Sequence, residues 1–174
     1  MTVHCIYTIL VVLSFAIVLT FVACWTWRDG ELPATVSDAA YCHKGIGSRL
    51  LYTLWLWAAT FTLTPALFYM MPEQWEGLAH VYATSVVLCG LMPLIARNRN
   101  LFFAVFGVSA GVFSQCCVCV LCPWLMLVWT HLAALIIFSD CGDSVPVWFS
   151  RKGVFIAEFV SWFCLASALL TKLI

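Results

Sequence analysis

Hydrophobic positions along this chain neither alternate nor gather on one helical stripe. They run nearly unbroken for about 20 residues at a time and then stop at a Pro, a turn signal or a charge cluster. Six such runs fall at Cys5 to Trp25, Leu50 to Met70, Gly77 to Ile95, Leu101 to Val120, Cys122 to Phe138 and Gly153 to Lys172. A helix rising about 1.5 Å per residue needs that length to cross about 30 Å of hydrocarbon, where each backbone N–H and C=O must find a partner inside the chain. The pattern predicts six membrane-spanning helices. The fourth and fifth runs are divided only by Pro123, a residue suited to a first helical turn, so one long kinked helix competes with two separate ones there.

Composition strengthens this reading. Of the 174 residues, 64% are hydrophobic and 9% charged, and the mean hydropathy is +1.04. A soluble domain carries about a quarter charged residues, so this surface is expected to face lipid. Eight basic and eight acidic residues cancel, which leaves no basic patch for nucleic acid. The first run is expected to be a span and not a cleaved leader, because Met1 to His4 contains no Lys or Arg and no small-residue cleavage pattern precedes Trp25 and Trp27.

Seven of the eight basic residues lie in the odd-numbered loops: Arg28, Lys44 and Arg49, then Arg97 and Arg99, then Arg151 and Lys152. Only Lys172 lies opposite. The positive-inside rule then puts those loops in the cytoplasm and both termini outside. Trp25, Trp27, Trp75, Trp124 and Trp148 stand near span ends, where an amphipathic ring prefers the headgroup level.

The fourth run carries Gly107 and Gly111 on one face with Ala104 and Ser114, a spacing that lets helices approach closely in lipid. Ala157, Ser161, Cys164 and Ala168 repeat the idea in the sixth run, so the fourth and sixth spans are the expected bundle interior. Three ionisable groups fall inside spans and are functional candidates for that reason: His80, His131 and Glu158. At about 1.5 Å per residue they sit roughly 5, 15 and 20 Å below the outer surface, too spread to share one metal ion. A polar track, or three separate structural hydrogen bonds, fits better.

The chain has ten cysteines, and Cys116, Cys119 and Cys122 form two overlapping C-x-x-C spacings of the kind used by zinc and thiol-redox sites. His4, Cys5 and His80 are expected at the same depth. Cys is also a small hydrophobe, and packing is the favoured role for the group. Vitamin K epoxide reductase-like enzymes pair such a helix motif with a second Cys pair in a loop, whereas the long loop here offers only Cys42. The chain has no P-loop, Rossmann glycine pattern, G-x-S-x-G or H-E-x-x-H.

Pro33, Ser37 and Asp38 in the first loop, Gly90 at the end of the third run and the Gly107 to Gly111 face together resemble, in their order on six spans, a six-span family that includes the damage-regulated autophagy modulators and related bacterial six-span domains. The resemblance covers the first four spans. It implies a fold and a membrane setting, with a bacterial inner membrane favoured over a eukaryotic organelle, and it implies no chemistry. Phe102 and Phe103 stand where such proteins often carry a His, and the charge count places the first loop on the side opposite to the family's.

The expected architecture is all-α, a polytopic six-transmembrane-helix bundle forming one domain over residues 1–174. Its polar residues are too sparse for a recognisable active site. The expected function is therefore a non-enzymatic, lipid-associated or partner-binding bundle, with membrane lipid as its partner, no nucleic acid, and a protein partner or a second copy left open. No cofactor is expected. The alternatives are a thiol-redox or metal-binding protein using the Cys116 to Cys122 cluster, and a zinc-dependent lipid-amide hydrolase of the alkaline ceramidase type.

Overall fold

The computed structural model describes residues 2–29, 35–41, 45–96, 101–139 and 147–174, and among these it leaves the side chains of residues 28–29, 37–38, 135–139 and 147–152 undescribed. The described residues form six α-helices and no strand: α1 Val3–Asp29, α2 Ile46–Met70, α3 Glu76–Ile95, α4 Leu101–Leu121, α5 Pro123–Ser139 and α6 Val147–Leu173. Two 3₁₀ helices join them, Val36–Ala40 in the first loop and Glu73–Trp75 before α3.

Among the described residues, five helices are long and apolar enough to cross a membrane: Val3–Trp27, Ile46–Met70, Glu73–Ile95, Leu101–Leu121 and Gly153–Leu173. Six helices were expected and six are present among the described residues, five of them meeting this length and hydropathy. At 17 residues, α5 reaches about 25 Å, short of a hydrocarbon core of about 30 Å. The boundary before α5 is a break. Cys122 N–H closes the last turn of α4 on Val118 O at 2.7 Å, and Leu125 N–H then bonds Cys122 O at 3.0 Å. Pro123 between them has no N–H to continue the ladder.

Helices α1 to α4 pack each against the next, and α6 packs against α1, α4 and α5. The main core is built from Val11, Leu63, Leu67, Val118, Cys164, Leu165 and Leu169, each 0–1% exposed. Lipid supplies no hydrophobic drive for helices to associate, so close packing and interhelical hydrogen bonds hold them. Ser14 Oγ donates to Ala59 O at 2.8 Å, Thr53 Oγ1 to Gly90 O at 2.6 Å, and Gln115 Nε2 to Ser161 O at 2.9 Å. Among the described glycines the tightest contact is at Gly90, where a Cβ would lie 2.6 Å from Trp57 Nε1.

The interior differs from the expected one. Ser161, Cys164 and Ala168 of α6 are buried as anticipated, but α2, not α4, shares the most enclosed place with α6. Trp27, Trp75 and Trp124 are exposed, whereas Trp25 is buried at 8% and joins Ala39, Ala40, Tyr52, Cys89 and Phe103 in a second core at the first-loop end. Trp148 has no described side chain. Val12, Leu19, Leu51, Phe102 and Leu127 are exposed on the outside, which leaves an apolar surface of the kind lipid covers.

Candidate functional site

The first loop would ordinarily lie on the surface, because its backbone groups need water. Here its 3₁₀ helix folds into the end of the bundle. Ala39 and Ala40 are fully buried, and two small methyl side chains allow that close contact. The cost of burying backbone N–H groups is met by Glu158, whose Oε2 accepts the Val36 N–H at 2.6 Å. Tyr41 follows, its hydroxyl donating to Ala96 O at 3.4 Å. The Arg49 guanidinium lies 5.5 Å from the Tyr41 ring centre. Burial raises the Tyr41 phenol above its ordinary range, Arg49 opposes that rise, and Cys89 adds to it.

Above this plug lies a cavity of about 190 Å³, space on the order of a dozen water molecules. Helices α1, α2, α3, α4 and α6 wall it, and Val36 closes its first-loop end. The wall is mostly apolar. Phe21 and Trp55 stack at 3.8 Å between centroids within it, and Val18, Val86 and Phe155 extend it. Glu158 is the one charged residue among the described lining residues. Farther along, Thr60, Tyr82, Ser114 and Ser161 contribute buried polar groups. The hydroxyls of three of these are used locally: Thr60 donates to Leu56 O, Ser114 to Gly111 O and Ser161 to Glu158 O. Trp162 also lines the cavity, and its Nε1 is buried without a hydrogen-bond partner. Gln115, next to Ser114, holds its Oε1 buried and unpartnered as well.

The cavity opens sideways. Val108 on α4 and Val154 on α6 both line it and are 66% and 46% exposed. Val108 stands about 10 Å along α4 from its first-loop end. Gly107 and Gly111 belong to the same wall. A Cβ on Gly107 would meet only Cys89 Sγ at 3.9 Å, and one on Gly111 would meet nothing within 4 Å. At these glycines the missing side chains leave room on the cavity side, and among the described glycines the tight contact is at Gly90.

The three ionisable candidates do not converge. His80 is exposed, with Nδ1 3.0 Å from Glu76 O on its own helix and its ring 4.6 Å from Phe68. His131 is likewise exposed, with Nδ1 2.6 Å from Leu127 O. Each ring satisfies one nitrogen locally, four residues back. Glu158 alone faces the interior.

The cysteines diverge too. Cys119 is exposed, Cys116 intermediate and Cys122 buried, as expected for side chains three apart on a helix, each turned about 300° from the last. His4 meets the Tyr69 ring at 5.7 Å. Among the described residues no three of His, Cys, Asp and Glu group as a metal site. Pro33 and Cys42 lie outside the described residues, as do the side chains of Ser37 and Asp38, although Ser37 and Asp38 belong to the buried 3₁₀ helix.

Sequence reasoning found Glu158 and missed its partner. It also missed the lining contributed by Tyr52, Thr60 and Tyr82, which sit in apolar runs with no spacing to mark them. No family model, curated protein or solved structure matches the chain, so the resemblance noted above stands on its few residues alone.

Proposed function

We propose that the protein is a six-span integral membrane protein that holds a hydrocarbon chain of a membrane lipid in its interior cavity and performs no chemistry on it. One observation carries this reading: an apolar cavity of about 190 Å³ opens at Val108 and Val154, on the flank of a bundle whose outer surface is itself apolar. A side opening about 10 Å along the helices would meet acyl chains and not water. The small residues of α4 fit this role, since Ala104, Gly107 and Gly111 remove wall volume where a chain would lie.

In this reading α5 is the sixth span. Its 17 residues fall at the short end of the usual range, and a bilayer thins or a helix end snorkels to accommodate such a length. Both termini are then outside and the basic loops inside, in a bacterial inner membrane.

Native mass spectrometry of the protein extracted in mild detergent tests the proposal. Bound lipid should survive delipidation in the wild type and be depleted in Gly111→Phe, whose ring would occupy the cavity, while both proteins melt at similar temperatures. Equal lipid retention in the two would contradict it.

A further inference from the structure

Uncharged polar groups of the cavity wall gather at one depth. Thr60 of α2, Tyr82 of α3 and Ser114 of α4 line the cavity, and each stands about 20 Å along its helix from the first-loop end, at Ile46, Ile95 and Leu101 respectively. The bond from Gln115 Nε2 to Ser161 O at 2.9 Å brings Ser161 of α6, and Trp162 beside it, to the same level. In a hydrocarbon core about 30 Å thick that level lies about 10 Å inside the nearer boundary. Two donors there are not used by the bundle. Trp162 Nε1–H is buried without a hydrogen-bond partner. The hydroxyls of Thr60, Ser114 and Ser161 each donate to a carbonyl of their own helix, whereas the Tyr82 hydroxyl has no such carbonyl among the described residues. An indole N–H can only donate, so the group that completes it is an acceptor.

We infer that the lipid held here is an isoprenoid quinone, its ring at this level with carbonyl oxygens accepting from Trp162 Nε1–H and the Tyr82 hydroxyl, and its chain running back along the α4 wall to the side opening. This rests on the proposed lipid-holding role and adds the class of lipid to it. The ring is uncharged, so it enters through an opening at acyl-chain depth, where a charged headgroup is costly. Its oxidised form presents acceptors to a level that presents donors. It is also flat, and the cavity wall carries the aromatic side chains of Phe21, Trp55, Phe155 and Phe159, against which such a ring packs face to face or edge on. The ester carbonyls of a phospholipid stay at the boundary of the hydrocarbon core, so an acyl chain filling the same space leaves both donors unmet and is held more weakly. The quinone is bound and not reduced.

The test titrates the full chain in detergent micelles with a fully substituted benzoquinone bearing a decyl chain, whose ring has no open carbon for a thiol to attack, and separately with decylbenzene, which lacks the carbonyls. Isothermal calorimetry, corrected for partition into empty micelles, reads the binding. The quinone should bind roughly tenfold more tightly than decylbenzene. Trp162→Phe and Tyr82→Phe, which keep a ring and lose the donor, should each weaken quinone binding by roughly fivefold, the ratio that one hydrogen bond of about 1 kcal/mol gives, and leave decylbenzene unchanged. Should Trp162→Phe fold poorly, Tyr82→Phe, which removes a single oxygen, carries the test. Equal binding of the two ligands by the wild type, or a quinone preference unchanged by both substitutions, would overturn the quinone assignment and leave the lipid-holding role standing. Binding of neither ligand would overturn it as well, and where no phospholipid is retained either, the lipid-holding role falls with it.

Discussion

The Val36 N–H donates to Glu158 Oε2 at 2.6 Å across 122 positions of sequence, and this bond ties the first loop to the sixth helix. It gives the in-span carboxylate a structural partner and gives the loop a reason to enter the bundle. The same residue lines the cavity, so plug and cavity share one group.

Glu158→Ala should leave the Val36 N–H buried without an acceptor, at about 1–3 kcal/mol. The 3₁₀ helix Val36–Ala40 should then detach before the bundle melts. Hydrogen exchange at residues 36–41 is expected to accelerate by roughly tenfold or more, while α2 and α3 keep their protection. Glu158→Gln, which retains an acceptor, should show a much smaller change. Unchanged exchange in the alanine variant would mean that Ala39 and Ala40 are held by packing alone.

Two glycines separate close approach from open space. Gly90→Ala places a methyl 2.6 Å from Trp57 Nε1, displacing a ring whose N–H bonds Val87 O at 3.1 Å. A cost of about 1–3 kcal/mol is expected. Gly111→Ala meets nothing within 4 Å and should melt within a degree or two of wild type, as surface-like changes do. Thermal unfolding of both variants in one detergent checks the contrast, and equal destabilisation would show that the α4 face packs after all.

That contrast shows what was legible in the sequence. Runs of about 20 apolar residues marked α1 to α4 and α6 because length and hydropathy determine whether a helix can span a bilayer. The Gly107 and Gly111 face was visible as small residues, but small side chains suit a close approach and a cavity equally well, and only the neighbouring helices decide between them. His80 and His131 were visible as costly polar groups, yet each turns outward and bonds a carbonyl four residues back, which spacing to other polar residues does not reveal. The plug was not legible. Its key donor is a backbone amide, carried by every residue except Pro, so nothing in the sequence distinguishes Val36 as the partner of Glu158.

The cysteines should behave as individuals. In detergent, a maleimide should modify Cys119, which is exposed, well before Cys117 and Cys122, which are buried. Replacing Cys116, Cys119 and Cys122 together with Ala should shift stability mainly through the buried Cys122, within the range of a small cavity. Stoichiometric zinc in the purified protein, lost on Cys119→Ser, would contradict this.

Six spans and five give opposite answers about the termini. If α5 crosses the membrane, single cysteines introduced at Thr2 and Thr171 in a Cys-depleted background should both react with an impermeant reagent added from outside. Labelling of only one from that side would mean that α5, at 17 residues, does not cross.

The most direct test of a lipid-holding cavity is to find where a lipid chain lies. A phospholipid bearing a diazirine at mid-chain, photolysed with the wild-type protein in bilayers, should crosslink to inward-facing wall residues such as Thr60, Tyr82 and Ser114, each 8% exposed or less. Gly111→Phe should suppress those crosslinks and spare the ones on the outer surface. Crosslinks confined to outward residues such as Val12 and Leu127, with none inside, would contradict the account.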